Sequence, residues 1–128
     1  MEYYFSKTLN TSFNEATKLI TEALKSEGFG VITEINMHVK LKEKLNVDFK
    51  RYTILGACNP PFAFKALQAE DKIGTMLPCN VLVIEQSQDK IEIAAVNPIA
   101  SMQAITNPTL GEIAQQVTAK LKNVIDTL

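Results

Sequence analysis

The fold of this chain is decided by residues 81–96, VLVIEQSQDKIEIAAV. Two runs rich in valine and isoleucine, residues 81–85 and 91–96, flank a short polar segment. Such runs are typical of β-strands, and a polar connection this short joins two strands as a hairpin. We therefore predict an antiparallel pair of strands in the second half of the chain.

Three segments upstream of this hairpin also have the composition of strands. Each is rich in β-branched or aromatic residues, which strands favour. We predict these strands at residues 3–9, 30–35 and 51–57. Because short connections join most of the strands, the sheet should be mostly antiparallel.

A long amphipathic helix is predicted after the first strand. Ser12 and Glu15 have the spacing of a capping box, with Ser12 as the N-cap. Apolar residues follow at steps of three and four, and Gly28 is placed to end the helix. The helix should therefore run over about four turns.

A second long amphipathic helix is predicted at the end of the chain, where one apolar face continues to Leu128. It should begin near Pro108. Two N-caps are open, either Asn107 or a capping box made by Thr109 and Glu112.

Two shorter helices complete the order of elements, at residues 38–45 and 60–70. Asn59 is a favoured N-cap residue and Pro60 a favoured first residue, so the later of the two helices should begin there. The order is then strand, helix, four strands, helix, with an extra helix inserted before the last hairpin. We predict an α+β fold, a two-layer sandwich in which the long helices cover one face of a mostly antiparallel sheet. A doubly wound parallel sheet would need a helix between nearly every pair of strands.

Length and composition fit one globular domain, residues 1–128. The chain is 46% hydrophobic and 21% charged with a net charge of −1, so it lacks the basic excess of a nucleic-acid binder. The longest apolar run, Val81–Ile84, is far short of a membrane span, and the N-terminus has no signal-peptide pattern. We therefore expect a cytoplasmic protein with reduced thiols and with no nucleic-acid or membrane partner.

The two cysteines lie in similar frames, GACNPP at residues 56–61 and LPCN at residues 77–80. Cys58 precedes the predicted helix, and a helix N-terminus can lower the pKa of a thiol. The prolines at positions 60 and 61 lack the N–H groups that would stabilise a thiolate, which weakens this interpretation. Cys58 is therefore either a candidate nucleophile or a small apolar residue ending a core strand. Cys79 is 21 positions away, so only the fold can bring the two thiols together.

Three other residues are candidates for ligand binding: Asn59, Asn80 and Arg51. The two asparagine amides either bind a ligand or have local roles, Asn59 as a helix cap and Asn80 in closing a turn. Arg51 opens the strand that ends at Cys58, and residues 38–51 carry five basic and two acidic side chains. This basic excess either marks a solvated helix face or attracts an anionic ligand.

A metal site needs three or four ligands at suitable spacing. The chain offers Cys58, Cys79 and its single histidine, His38, and no pair among them has the spacing of a zinc site. Phosphate-binding glycine loops, paired carboxylates and serine nucleophile motifs do not occur either. We predict no metal and no cofactor, and the residues leave open whether the protein is an enzyme.

Three segments carry a family resemblance: LKEKL at residues 41–45, ILGACNP at 54–60 and LPCNV at 77–81. Asn97-Pro98 and Met102 add weaker support. With these motifs the chain resembles the domain of unknown function 302 family over nearly its whole length. The resemblance implies a fold like one half of the TATA-binding protein, and a homodimer. It implies neither DNA binding nor an established activity, because a shared fold does not carry function.

Three functional hypotheses follow. The first is a small cytoplasmic domain that binds a small ligand, anionic or sulfur-containing, in a pocket near Cys58 and Cys79. The second is a thiol-dependent enzyme or redox protein in which Cys58 is the nucleophile and Cys79 the resolving or supporting thiol. The third is an interaction module without a small ligand, in which both motifs only build the fold.

Overall fold

The computed structural model describes residues 1–128, which form one five-stranded sheet and five α-helices. The elements in chain order are β1 (Tyr4–Leu9), α1 (Phe13–Ser26), β2 (Gly30–Asn36), α2 (Met37–Leu45), β3 (Tyr52–Cys58), α3 (Pro60–Ala69), a 3-10 helix (Asp71–Met76), β4 (Cys79–Ser87), β5 (Lys90–Val96), α4 (Pro98–Ser101) and α5 (Pro108–Asp126). This order confirms the predicted α+β architecture, including the extra helix before the last hairpin. None of the helices is both long enough and apolar enough to cross a membrane.

The sheet has the strand order β1-β5-β4-β3-β2, and every neighbouring pair is antiparallel. The predicted hairpin of β4 and β5 lies at its centre. Both strands extend further into the polar segment than predicted, and Ser87 pairs with Lys90 across a two-residue turn. Backbone pairing depends on N–H and C=O groups, so polar side chains at the end of a hairpin do not end its strands.

Local capping fixes the ends of α1. The Ser12 hydroxyl accepts a hydrogen bond from the backbone N–H of Glu15 at 3.1 Å, as predicted. Gly28 has a φ of +84°, a left-handed conformation that glycine adopts without strain. The N–H of Phe29 then donates to the carbonyl of Leu24 at 2.9 Å, which completes a Schellman C-terminus.

At the start of α5, the structure decides between the two predicted caps. The side chain of Asn107 accepts a hydrogen bond from the N–H of Leu110 at 3.2 Å, so Asn107 is the N-cap. Its amide nitrogen also donates to the carbonyl of Ala69 at 2.8 Å. One asparagine therefore caps α5 and ties it to the end of α3.

The core lies between one face of the sheet and the helices α1 and α5. Its fully buried residues include Ile20 of α1, Val81 and Val83 of β4, and Leu121 of α5. Because successive strand residues alternate between faces, Cys79 shares the helix-covered face of β4 with Val81 and Val83. The short helix α2, by contrast, contributes no buried residue to the core.

Candidate functional site: a sulfur-lined cavity

The two cysteines meet where β3 ends and β4 begins. Ala57 is the register partner of Cys79, so Cys58 lies one residue further along the neighbouring strand. Both cysteines line one cavity of about 270 Å³. Cys79 is buried and Cys58 half-buried, and neither forms a disulfide. The fold thus brings together two thiols that the sequence separates by 21 positions.

The cavity lies at one end of the sheet, between that end and the helices α3 and α5. Seventeen residues line it, and apart from the two thiols Asn59 has the only polar side chain among them. Ile32 and Leu67 are 61% and 46% exposed, so the cavity opens to the surface beside them. The site is therefore an apolar cleft with an apolar mouth.

A β-bulge supplies Ile32 to this mouth. Val31 pairs with Ala57 and Thr33 with Gly56, which leaves Ile32 as an extra residue in the edge strand β2. A bulge of this kind interrupts the alternation of side chains and redirects one of them. Here the redirected residue is the one that lines the cavity.

Close packing around Gly56 holds Pro78, the residue before Cys79, against β3. A Cβ atom at Gly56 would lie 2.1 Å from Thr33 Oγ1 and 2.7 Å from Pro78 Cγ. The Leu77–Pro78 peptide bond is cis, and the Pro78 ring lines the cavity. Only a glycine lets the Pro78 ring and the Thr33 side chain approach β3 this closely.

Burial keeps the thiol of Cys79 protonated. Removal from water and, to a smaller extent, the charge that Cys58 can carry nearby together raise the pKa of Cys79 from 9.0 to about 11. At neutral pH Cys79 is therefore an uncharged, polarisable part of the wall. Near Cys58, the first residue of α3 with a backbone N–H is Phe62, because two prolines precede it.

The side chain of Asn59 does not cap the helix α3, contrary to one of the two roles predicted for it. Asn59 occupies the N-cap position of α3, but its side chain makes no capping hydrogen bond. Its amide nitrogen instead donates to the carbonyl of Glu27 at 3.2 Å, at the end of α1. Pro61 removes one of the two N–H groups that an N-cap side chain usually bonds, which leaves Phe62 as the only usual capping donor, and the amide is instead turned towards α1.

Asn80 lies on the other face of the sheet. It is the second residue of β4 and not part of a turn, so its side chain alternates away from that of Cys79. It is exposed and lines a second depression, of about 410 Å³, on the uncovered face, together with Tyr4 and Tyr52. The structure therefore does not place Asn80 beside the two thiols.

Arg51 lies at the opposite end of β3 from Cys58. The two residues are seven positions apart along the strand, which is about 23 Å at the usual rise per residue. The guanidinium stacks over Phe13, with its carbon 4.1 Å from the ring centre, and donates to Asn14 Oδ1 at 3.3 Å. Its charge is thus paired with an aromatic ring and an amide, and it does not face the cavity.

Sequence reasoning did not find the apolar residues that complete the site. Phe62, Met102 and Ile113 line the cavity from three separate segments. Their spacing matches ordinary core positions, so no sequence signal distinguishes them.

His38 lies elsewhere, where its Nδ1 accepts a hydrogen bond from the N–H of Tyr52 at 3.0 Å. No three histidine, cysteine or acidic side chains lie close enough to share a metal ion.

The fold and the cleft define a small α+β domain with one apolar, thiol-bearing site. The sequence matches the family described as "Domain of unknown function DUF302" over residues 5–128, and the chain belongs to that family. It is similar to the crystal structure of an uncharacterized conserved DUF302 protein from Bacillus stearothermophilus. The two are 31% identical, with a TM-score of 0.89 over 98% of each chain. No curated protein matches the chain.

Proposed function

We propose that this protein binds a small, neutral, apolar molecule in the sulfur-lined cavity. The observation that carries this proposal is the lining, which is almost entirely apolar and reaches the surface at Ile32 and Leu67. An apolar cavity of about 150 Å³ is already large enough to hold benzene. A volume of about 270 Å³ therefore suits a bicyclic molecule or one of similar size.

The electrostatics of the cavity favour a neutral ligand over an anionic one. The thiol of Cys79 is protonated at neutral pH, and no lysine, arginine, histidine or acidic residue lines the cavity. Burying an ionised ligand without a partner is costly. The basic residue expected to attract an anion, Arg51, lies at the far end of β3.

Thiol chemistry at Cys58 is the second candidate, supported by the half-buried position of this cysteine beside Cys79 in one cavity. The prolines at the start of α3 remove two of the N–H groups that would otherwise lie at the helix N-terminus beside Cys58. Ligand binding is accordingly the first proposal.

A homodimer in the cytoplasm is the proposed physiological form. Several apolar side chains are exposed along the edge strand β2, the helix α2 and the segment after it: Ile35, Val39, Leu45, Val47 and Phe49. A contiguous exposed apolar surface commonly marks a protein interface. Phe49→Ser should weaken self-association in sedimentation velocity, whereas Phe64→Ser, at a more exposed phenylalanine on α3, should not. Reducing conditions in the cytoplasm suit two unpaired thiols.

Ligand binding can be tested with naphthalene as the probe. A ligand that binds only the folded state raises the melting temperature in a saturable way. Ala63 lines the cavity, so Ala63→Phe should fill it and abolish the effect. Ala119 is an exposed residue of α5 outside the cavity, and Ala119→Phe is the matched control that should retain the effect. Equal responses in both variants, or no response in the wild-type protein, would overturn the proposal.

A further inference from the structure

The amide of Asn59 has a defined orientation. Its nitrogen donates to the carbonyl oxygen of Glu27 at 3.2 Å. Rotating the amide by half a turn would set two acceptor oxygens against each other, so the hydrogen bond fixes which atom is Oδ1. Asn59 is only 8% exposed, and its side chain is held between the end of α1 and the start of α3.

The other atom of this amide, Oδ1, has no partner within the protein. The side chain makes no capping bond, and the nitrogen makes its single hydrogen bond. Every side-chain oxygen or nitrogen that is fully enclosed in this structure does have a partner. Asn59 Oδ1 is therefore not fully enclosed, and Asn59 lines the cavity. Among the residues that line the cavity, Asn59 is the only one whose side chain carries oxygen or nitrogen, so its Oδ1 is the only side-chain oxygen to which a bound ligand could donate a hydrogen bond.

The rest of the wall favours an aromatic ligand. Three sulfur-bearing side chains line the cavity: Cys58, Cys79 and Met102. Sulfur makes favourable contacts with aromatic rings at about 5 Å, often at the ring edge. Phe62 adds an aromatic side chain, which can make stacked or edge-on contacts with the ring of a ligand.

We propose that the ligand is a neutral aromatic molecule with a single N–H or O–H donor, and that this donor bonds to Asn59 Oδ1. This inference rests on the proposed function, since it specifies the ligand class of the same cavity. A molecule with several polar groups would leave all but one of them without partners in an apolar wall. A molecule without a donor would leave the Asn59 acceptor unpaired on binding.

A series on one ring system tests the inference: 2-naphthol, 2-methoxynaphthalene and naphthalene, titrated at neutral pH by calorimetry. We expect 2-naphthol to bind about threefold to tenfold more tightly than 2-methoxynaphthalene, the range for one buried neutral hydrogen bond. In Asn59→Leu this preference should disappear while naphthalene still binds. Naphthalene binding also reports that the variant is folded, and the wild-type comparison holds even if the variant does not fold.

The possible failures are distinguishable. If naphthalene binds the wild-type protein but 2-naphthol has no advantage over its methyl ether, the hydrogen bond to Asn59 is refuted and the proposed function stands. The same conclusion follows if the advantage survives in a folded Asn59→Leu variant. If none of the three compounds binds, the proposed function itself fails.

Discussion

Replacing Gly56 with alanine should destabilise the protein, because this glycine lies under two close neighbours. The new Cβ would lie 2.1 Å from Thr33 Oγ1 and 2.7 Å from Pro78 Cγ. Thr33 can rotate its hydroxyl away, and its Cβ would then lie 3.4 Å from the new atom, which is an ordinary contact. The Pro78 ring cannot rotate, so either the connection before β4 or the β3 backbone must move.

The size of the effect follows from this overlap. Forcing one extra carbon into a packed site typically costs about 1–3 kcal/mol, and the overlap with the Pro78 ring, together with the rotation of Thr33, places Gly56→Ala at about 2–3 kcal/mol. Gly111 provides the control, since a Cβ there would meet nothing within 4 Å in the helix α5. Gly111→Ala should raise the free energy of unfolding by about 0.5–1 kcal/mol, through the better helix propensity of alanine.

Urea unfolding, followed by far-ultraviolet circular dichroism, measures both changes. The chain has no tryptophan, which makes circular dichroism the suitable signal. The two variants should shift the midpoint in opposite directions with similar slopes. A Gly56→Ala protein within about 0.5 kcal/mol of the wild type would refute the close approach of Thr33 and Pro78, because that is the range of ordinary surface substitutions.

Three further predictions concern the thiols and the cap of α5. Iodoacetamide at neutral pH should modify Cys58 well before Cys79, as measured by mass spectrometry of the digest; equal rates would contradict the burial of Cys79. Because the pKa of Cys79 is higher in the folded state, its contribution to stability is complete below pH 9 and is lost as the pH rises towards 11. Cys79→Val should therefore lose less stability than the wild type between these pH values, by up to about 2–3 kcal/mol in urea unfolding, and parallel losses would refute the assignment. Asn107→Ala should cost about 1–2 kcal/mol in the same assay, since it removes both the cap at Leu110 and the bond to Ala69; Asn123→Ala on the exposed face of α5 should cost much less.

The elements could be predicted from sequence because their signals are local. Ser12 and Gly28 define the ends of α1 through hydrogen bonds to residues within one turn of them. Asn107 likewise caps α5 three residues on. The predicted ends of β4 and β5 were wrong at the hairpin, because backbone pairing extends both strands into the polar segment between them. The side chains do not determine how far the backbone hydrogen bonds of two paired strands continue.

The candidate site was only partly predictable, because it depends on register and alternation. The pairing of Ala57 with Cys79 sets the end of β3 beside the start of β4, where both cysteines line one cavity, and the 21-residue separation in the sequence does not reveal this pairing. Alternation along β4 separates Asn80 from Cys79, although the two are adjacent in sequence. Arg51 and Cys58 are separated for a different reason, because they lie at opposite ends of the strand β3. The role of Asn59 depends on where α1 ends, which lies 32 positions earlier in the chain.

The cavity itself is a place where this chain is not packed for greatest stability. Four alanines line it, Ala57, Ala63, Ala66 and Ala114, and larger apolar side chains at such positions would occupy the space. Filling a void recovers contacts and buried area, so a chain under pressure for stability alone would tend to lose it. Ala63→Phe should therefore melt at a higher temperature than the wild type without ligand, and should fail to bind naphthalene. If it melts lower while Ala119→Phe does not, the space beside Ala63 is too narrow for a ring, and the cavity is too small for the aromatic ligand that we propose.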